Sequence, residues 1–311
     1  MRILRLDPRC DPEVNNKSCA CIGYFDGLHR GHQELLKEML KAAFEHGCGK
    51  SVITFDRDPL EVISGKKQKQ ILSRDSLFSM LEKAGVDQVY LIPFDREIAA
   101  MPAEDFLKDF LYRLQLETLV CGFDFRYGYK GSGNASTLKE AEDRPFEVRI
   151  VGEISEDGQK ISSTAVKRFL GEGEIGQANR FLGYTYNLEG KVIHGLQNGR
   201  RMGFPTVNTE LDPQLVLLKT GVYAGYAEAN GSLYKAMINL GSNPTVSEST
   251  TLHLEAHLLG FEGDLYGEKI RLYFLKKLRE EMRFADFGEL QDQLRKDREI
   301  VSAMTETVHE F

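Results

Sequence analysis

The feature that most constrains the fold is a strand, a glycine-bearing turn and a helix at the start of the chain. Ser18 to Ile22 is short and apolar, as is typical of a strand buried on both faces of a sheet. Glycines at 23, 27 and 31 follow, and then apolar residues recur with a helical period: Leu35, Leu36, Met39, Leu40, Ala43 and Phe44. Glycine lets a ligand approach the backbone, and a helix start presents unpaired N–H groups with a partial positive charge. The stretch therefore predicts a phosphate site.

Two histidines lie at this predicted helix start. His29 and His32 are three residues apart across Gly31, so both can reach the same phosphate. An imidazole donates hydrogen bonds and, if protonated, opposes the charge that builds up on phosphorus. The alternative is an ordinary core strand, turn and helix with exposed histidines.

The ten residues Gly23-Tyr-Phe-Asp-Gly-Leu-His-Arg-Gly-His32 carry a family resemblance. They resemble the signature of nucleotidylyltransferases, and in particular of the bacterial bifunctional riboflavin kinase/FAD synthetase family. The resemblance implies that His29 and His32 are catalytic, and that the nucleotide is bound by Gly23, Phe25, Asp26, Gly27 and Gly31.

Length and composition limit the classes of protein. A chain of 311 residues exceeds the size at which one core usually stops growing, which predicts two domains. A net charge of −7 argues against a nucleic-acid surface. The N-terminus has no leader-like apolar core and no later window approaches a membrane span, so we expect a cytoplasmic protein without a membrane partner. The five cysteines are odd in number and lack zinc-finger spacing, so we expect them reduced and mostly buried.

Strands and helices alternate in the first half of the chain. Further strands are predicted at residues 51–55, 89–92, 119–122 and 148–151, with helices opening near Ser73 and Pro102. This alternation predicts an α/β domain with a parallel, doubly wound, Rossmann-like sheet that binds ligands at the carboxyl ends of its strands.

Two later segments of this half also resemble the family. The run from Cys121 to Gly128 is similar to a segment that borders the flavin and adenine sites, which implies flavin binding by Asp124 and Phe125; the alternative is an aromatic loop over the core. Residues 161–167 are similar to the family's Ile-Ser-Ser-Thr-x-x-Arg, which implies nucleotide binding by Ser163, Thr164 and Lys167. Lysine lacks the two-pronged contact of arginine, and without the resemblance a serine-capped helix would explain the segment.

Two other patterns carry no predicted site. In residues 54–59 the chain has Arg57 and Asp58 where the family commonly has proline and histidine, so no role is transferred to them. The run from Gly171 to Gly176 fits a dinucleotide pattern, but it follows a helix and contains two glutamates, so we predict a turn between helices.

The second half changes character after Gly183. Alternating segments at 186–194, 221–229, 232–240, 250–259 and 269–278 predict an all-β antiparallel barrel, with Asn230-Gly231 as a hairpin turn. Residues 286–309 predict a terminal helix with four apolar residues toward the barrel: Phe287, Leu290, Leu294 and Ile300.

The stretch from His194 to Asn208 resembles the riboflavin kinase signature. The resemblance implies a loop that receives ATP, with nucleotide binding by Gly199, Arg200 and Gly203. Thr206 and Asn208 offer neutral oxygens to a Mg²⁺ that bridges phosphate oxygens.

The strand at 252–258 alternates, which places His253, Glu255 and His257 on one face. Read from the residues alone, this trio could be a metal site. The family resemblance instead implies that Glu255 is the general base for the riboflavin 5′-hydroxyl. Arg279 matches a segment near the flavin and is assigned to it only by that likeness.

Together these resemblances predict one enzyme with two activities. Residues 184–311 would phosphorylate riboflavin with ATP, and residues 1–183 would join the resulting FMN to the adenylyl part of ATP, giving FAD and pyrophosphate. Both steps would need Mg²⁺. Two alternatives remain, a riboflavin kinase with a weakened adenylyltransferase domain and a non-catalytic flavin sensor. The sequence gives no oligomeric state.

Overall fold

The structure is a computed structural model that describes residues 1–7, 16–194, 203–243 and 251–311. The chain divides into two compact units, Met1–Ser162 and Ser163–Phe311. The functional division that the sequence predicts, between residues 183 and 184, lies 21 residues later than this structural one and stays a prediction.

The first unit alternates strands and helices. Its strands are β1 Arg2–Arg5, β2 Ser18–Ile22, β3 Gly49–Phe55, β4 Gln88–Ile92, β5 Leu116–Gly122, β6 Arg126–Tyr127, β7 Gly133–Asn134, β8 Glu147–Val151, β9 Ser155–Glu156 and β10 Gln159–Lys160. Its helices are α1 Arg30–His46, α2 Pro59–Ser64, α3 Arg74–Lys83, α4 Arg96–Ala100, α5 Ala103–Phe106 with a π-helical turn at Leu107–Leu111, and α6 Ala135–Glu140.

Six strands form one sheet in the order β1-β4-β3-β2-β5-β8, and every neighbouring pair is parallel. The predicted parallel α/β architecture is confirmed. The prediction missed β1, an edge strand of only four residues with an arginine at each end, because it lacks the apolar run that marks the central strands.

Helix α1 buries one face against this sheet, with Leu35, Leu36 and Met39 in the core. The prediction was wrong for Phe44, whose side chain is 89% exposed. Each step of four residues rotates about 40° around a helix, so the row from Leu36 through Leu40 leaves the buried stripe by the time it reaches Phe44.

The second unit begins with two helices, α7 Ser163–Glu172 and α8 Ile175–Leu182. The predicted turn between helices is confirmed, with Gly173 at φ +81°. The strands that follow are β11 Asn187–Ile193, β12 Val207–Thr209, β13 Gly221–Ala229, β14 Ser232–Asn243, β15 Thr251–Leu258 and β16 Lys269–Arg279.

These strands close into an antiparallel barrel in the order β11-β12-β15-β14-β13-β16, which confirms the predicted barrel. Asn230 and Gly231 both have positive φ, as the predicted hairpin turn requires. The prediction missed β12, because three residues are too few to show alternation.

The terminal helix, α9, spans Phe287–Ala303 and ends before the predicted His309. Leu294 and Val301 pack with Phe204, Ala224 and Met237, whereas Phe287 and Ile300 are exposed, against the prediction. Asp297 occupies part of the buried face. Polar residues therefore take part in the contact between helix and barrel. For this reason the apolar pattern alone predicts the wrong buried face.

Across the described ranges, no helix is both long and apolar enough to cross a membrane. The expected cytoplasmic location stays a prediction. Cys19, Cys21 and Cys121 are buried and unbridged, and Cys48 is half-buried and unbridged, as the sequence predicted for them.

Gly225 tests how tightly the barrel wall is packed. A Cβ at this position would lie 1.8 Å from the carbonyl oxygen of Tyr273 on the neighbouring strand β16. We expect Gly225→Ala to destabilise the barrel by about 1–3 kcal/mol or more, since overpacking forces the backbone apart. Thermal denaturation followed by circular dichroism measures the loss. Gly176→Ala is the control, because a Cβ there meets nothing within 4 Å; an equal loss in both variants would contradict the packing explanation.

Candidate active sites

The first candidate site lies where β2 ends and α1 begins. Gly27 and Leu28 both have positive φ, at +84° and +37°, and turn the chain toward the helix. A Cβ on Gly27 would lie 2.8 Å from the side chain of Ile71, so only glycine fits there. Gly23 follows directly after β2. The glycine at position 27 is thus required by its positive φ and by the packing of Ile71.

His29 caps α1, and its ring lies against that of His32. The Nδ1 atom of His29 accepts a hydrogen bond of 3.4 Å from the backbone N–H of His32. The two rings stack with centroids 3.7 Å apart and an interplanar angle of 15°, and Phe25 meets His32 edge-on at 5.2 Å. A Cβ on Gly31 would press on the His29 ring at 3.2 Å. With Nδ1 accepting, neutral His29 carries its proton on Nε2 and can donate from there.

Burial makes both imidazoles neutral near pH 7. Desolvation lowers the pKa of His29 to about 4, and the nearby Lys160 adds to this effect while Asp124 opposes it. Burial, followed by the proximity of His29, holds the pKa of His32 well below its usual range. The Nδ1 atom of His32 is buried and has no hydrogen-bond partner among the described residues. This pair therefore offers hydrogen bonds to a phosphate without adding a positive charge.

Asp26 joins the turn to the segment before α3. Its Oδ1 atom accepts a hydrogen bond of 2.7 Å from the backbone N–H of Ile71, and the side chain is buried. Nearby, the hydroxyl of Tyr24 accepts a hydrogen bond of 2.7 Å from Gln70. The contact of Asp26 with Ile71, which the sequence did not reveal, fixes the turn that carries the histidines.

A short hairpin, β9 and β10, contacts both the histidine turn and the aromatic loop. Glu156 forms an ion pair with Arg30, the first residue of α1. Lys160 pairs with Asp124 at 2.6 Å and lies 4.6 Å from the ring centroid of Phe123. Sequence reasoning missed Lys160, although it directly precedes the Ile161-Ser-Ser-Thr segment. Asp124, assigned to the flavin, is thus held beside a cation close to His29.

The aromatic loop after β5 also borders a cavity of about 590 Å³. Phe125 packs on the core and stacks on Tyr127 at 5.6 Å. The cavity is lined by the aromatic residues Phe55, Phe94, Phe106, Tyr127 and Tyr129, by the cations Arg96, Arg126 and Lys130, and by apolar residues of α2 and α4. It opens beyond the carboxyl ends of β3, β4 and β5, where parallel sheets bind ligands.

Asp58, one of the two departures from the family pattern, has a structural role beside this cavity. Its side chain accepts a hydrogen bond of 2.8 Å from the backbone N–H of Leu60 and so caps α2, which begins at Pro59.

Ser163, Thr164 and Lys167 lie in the first two turns of α7, within the second unit.

The second candidate site is a row of polar residues across three barrel strands. Asn208 on β12 is paired directly with Glu255 on β15, and Glu255 is paired directly with Asn239 on β14. All three are half-buried, whereas Leu254 and Ala256 beside Glu255 point into the barrel core. The predicted Asn208 and Glu255 are therefore neighbours on the outer face, and Asn239 was missed because it lies in an apolar strand.

The loop before β12 is tied to the same face. The Nδ1 atom of His257 lies 2.8 Å from the carbonyl oxygen of Pro205, and Phe204 meets the His257 ring edge-on at 5.4 Å. Thr206 follows, half-buried. Gly203 has φ +80°, and the predicted Gly199 and Arg200 lie outside the described residues.

Glu255 is a half-buried carboxyl group on this face. Burial raises its pKa above that of an ordinary glutamate, and the nearby imidazole of His253 partly offsets this effect. Within the described ranges, no group of three or more His, Cys, Asp or Glu side chains is placed to hold a metal ion.

Arg279 lies at the end of β16. It is paired with Val222 of β13, and Val222 is paired with Asn239, so Arg279 continues the same row of residues across the barrel. Its Nε atom donates to the buried carboxylate of Asp297 at 3.0 Å, and Gln293 donates to the other oxygen of Asp297 at 2.8 Å. Helix α9 thereby fixes the direction of the guanidinium.

The pKa of the histidine pair predicts how the first unit responds to acid. Between about pH 6.5 and about 4, unfolded histidines bind protons that buried His29 and His32 do not, so the free energy of unfolding should fall as the pH falls through this window. Urea denaturation at several pH values measures this slope. The double variant with His29→Gln and His32→Gln should show a shallower slope. His46→Gln, at the exposed end of α1, should keep it; a slope unchanged in the double variant would contradict the assignment.

Comparison with known proteins matches each half of the chain to a family. The FAD synthetase family model matches residues 11–165, and the riboflavin kinase family model matches residues 182–305. A bifunctional riboflavin kinase/FMN adenylyltransferase of Listeria monocytogenes is 35% identical over 89% of each chain, and one of Bacillus subtilis is 33% identical over 92% of each.

A solved structure from Streptococcus pneumoniae, titled a macrolide-efflux protein, has 29% identity and a TM-score of 0.91, and the match covers 98% of this chain and 100% of that one. The resemblance stated from the sequence is confirmed. With relatives this similar over about nine-tenths of its length, the chain belongs to the bifunctional riboflavin kinase/FMN adenylyltransferase family.

Proposed function

We propose that this chain makes FAD from riboflavin in two steps, with a kinase site on the barrel of residues 184–311 and an adenylyltransferase site within residues 1–183. The observation that carries the proposal is the pairing of Asn208 and Glu255 on one face of the barrel, within the stretch that matches the riboflavin kinase family. The stacked histidines at the start of α1, within the stretch that matches the FAD synthetase family, support the second step.

In the kinase step, Glu255 takes the proton from the riboflavin 5′-hydroxyl as its oxygen attacks the γ-phosphorus of ATP. The bond from the γ-phosphorus to the bridging oxygen breaks, and ADP leaves with that electron pair. The hydroxyl is a weak nucleophile at pH 7, so a carboxylate with a raised pKa is a suitable acceptor. Gly199, Arg200 and Gly203 are assigned to the nucleotide, and Arg279, held by Asp297, to the flavin.

Mg²⁺ is the cofactor proposed for both steps. Asn208 offers a neutral side-chain oxygen beside Glu255, and Thr206 offers another two residues before it. Such a set suits an ion that keeps much of its water and takes other ligands from phosphate. Bound there, the ion would neutralise charge on the ATP phosphates.

In the adenylyl step, an oxygen of the FMN phosphate attacks the α-phosphorus of ATP and pyrophosphate leaves. A phosphate dianion needs no base, so His29 and His32 serve as neutral hydrogen-bond donors to the phosphates. The cation of Lys160, close to His29, and the partial positive charge at the start of α1 supply positive potential. Gly23, Phe25, Asp26, Gly27 and Gly31 are proposed to shape the nucleotide site. Ser163, Thr164 and Lys167, in the second unit, are proposed as nucleotide ligands from the resemblance of residues 161–167 alone.

The cavity of about 590 Å³ is the proposed place for the isoalloxazine ring of FMN. Its aromatic walls offer stacking surfaces, and its volume lies within the range of small-molecule sites. Asp124 and Phe125 belong to the loop that borders it.

One incubation separates the proposed function from its alternatives. Purified protein is given riboflavin, ATP and Mg²⁺, and the flavins are resolved by chromatography. We expect FAD, and we expect neither product when EDTA removes the metal. FMN alone would indicate a kinase with a weakened partner site, and unchanged riboflavin would indicate a flavin-binding protein without catalysis.

A single substitution tests whether the two sites are separate. Glu255→Gln removes the proton acceptor but keeps the shape of the side chain, so FMN formation should fall by about 10²–10⁴-fold. FMN supplied directly should still be converted to FAD at the original rate. Glu262→Gln, in the exposed turn after β15, is the matched control. A parallel loss of both activities in Glu255→Gln would contradict the assignment.

A further inference from the structure

We propose that Cys19 and Cys48 are a redox-active thiol pair, which a peroxide or a small-molecule disulfide converts into a disulfide bond that stabilises the first unit. Both cysteines are unbridged in the structure, so the bond belongs to a second, oxidised state of the same chain. The inference goes beyond the proposed flavin chemistry and does not depend on it.

The two sulfur atoms are already in contact. The Sγ atoms of Cys19 and Cys48 lie 3.3 Å apart, although the residues are 29 positions apart in the chain. A disulfide bond is about 2.0 Å long, so the sulfurs have to approach by roughly 1.3 Å. Cys48 lies between Gly47, which ends α1 with φ +62°, and Gly49, the first residue of β3. Glycine on both sides gives Cys48 the backbone freedom for this shift.

Strand pairing explains why the sulfurs meet. Strands β2 and β3 are parallel neighbours, with Ser18 paired with Gly49 and Cys19 with Lys50. Cys48 directly precedes the first of these pairs, so it lies diagonally across from Cys19. Backbone hydrogen bonds of the sheet therefore hold the two thiols near each other.

The surroundings of the two thiols differ, which assigns their roles. Cys19 is fully buried, and burial, followed by the contact with Cys48, raises its pKa and keeps it a thiol. Cys48 is only half-buried. Lys17 is close enough for its charge to interact with Cys48, and it also pairs with Glu117. The thiolate is the reactive form of cysteine, and a thiolate formed at Cys48 lies beside this cation. Cys48 is therefore the sulfur that meets the oxidant.

With hydrogen peroxide the oxidation has two steps. The Cys48 thiolate attacks one peroxide oxygen, the O–O bond breaks, and a sulfenic acid and hydroxide form. The Cys19 sulfur then attacks the Cys48 sulfur, the S–O bond breaks, and the hydroxyl group leaves with the Cys19 proton as water. Two electrons pass from the sulfurs to the peroxide. Oxidised glutathione gives the same bond through a mixed disulfide on Cys48, with release of two reduced glutathione molecules.

The bond closes a ring around the strand, turn and helix that carry the two histidines. The ring runs from Cys19 through α1 to Cys48 and includes His29 and His32. Such a cross-link stabilises a fold mainly by restricting the unfolded chain. Cys19 lies near the amino end of β2, roughly 10 Å along the strand from Ile22, after which the histidine turn begins. Oxidation should therefore stabilise the first unit without reshaping that turn.

Peptide mapping tests whether the bond forms. Reduced full-length protein is treated with hydrogen peroxide or oxidised glutathione, the remaining thiols are alkylated, and the chain is digested with trypsin without reductant. Cleavage after lysine and arginine places Cys19 in peptide 18–30 and Cys48 in peptide 42–50. We expect these two peptides to be joined and to separate on addition of dithiothreitol. The melting temperature should rise by roughly 5–10 °C on oxidation and return on reduction.

Single variants identify the sulfurs that react. Cys19→Ala and Cys48→Ser should each abolish both the joined peptides and the rise in melting temperature. Cys21→Ala is the matched control and should keep both, because Cys21 is equally buried on the same strand and lies in the same tryptic peptide. Cys10, which lies outside the described residues, falls in a separate peptide, 10–17.

Two results would overturn the thiol pair: peptides that stay separate after oxidation, and a join that persists in Cys19→Ala. A joined protein whose melting temperature does not rise would overturn the stabilising role. Both readouts are independent of catalysis, so a failure of the flavin assays would leave this result unchanged.

Discussion

Hydrogen-bonded register between neighbouring strands fixes the side chains of both candidate sites. In the first unit, parallel pairing brings Ile22, Phe55 and Ile92 to one edge of the sheet, and the histidine turn and the aromatic cavity follow at that edge. In the barrel, antiparallel pairing sets Asn208, Glu255 and Asn239 side by side. The two sites differ in chemistry, but each depends on strands whose pairing leaves little freedom of position.

Much of this arrangement could be predicted because the relevant signals are local. The glycines and histidines of residues 23–32 lie within one strand, turn and helix, and Gly27 is favoured by the positive φ of that turn. Asn230-Gly231 specifies its own hairpin. In the barrel, the alternation of residues 252–258 was sufficient to place Glu255 on the face opposite to Leu254 and Ala256.

The remaining features depend on contacts between distant parts of the chain. Strand β1 is identified by its pairing with β4, and β12 by its pairing with β15. The neutral state of His29 comes from burial by surrounding segments, which spacing alone does not reveal. The sequence predicts Asp297 on a solvated helix face, whereas in the structure it forms an ion pair with Arg279. In each case a short or polar segment takes its role from a partner far along the sequence.

The alternation of β15 has a consequence for how sequences of this kind can diverge. Insertion of one residue within the strand would exchange Glu255 with Leu254 or Ala256 between the two faces, placing a carboxylate in the core and an aliphatic side chain beside Asn208 on the outer face. An insertion in a turn between strands does not exchange the two faces in this way. Changes in length should therefore accumulate in the connections during evolution, while the number of residues within this strand stays constant.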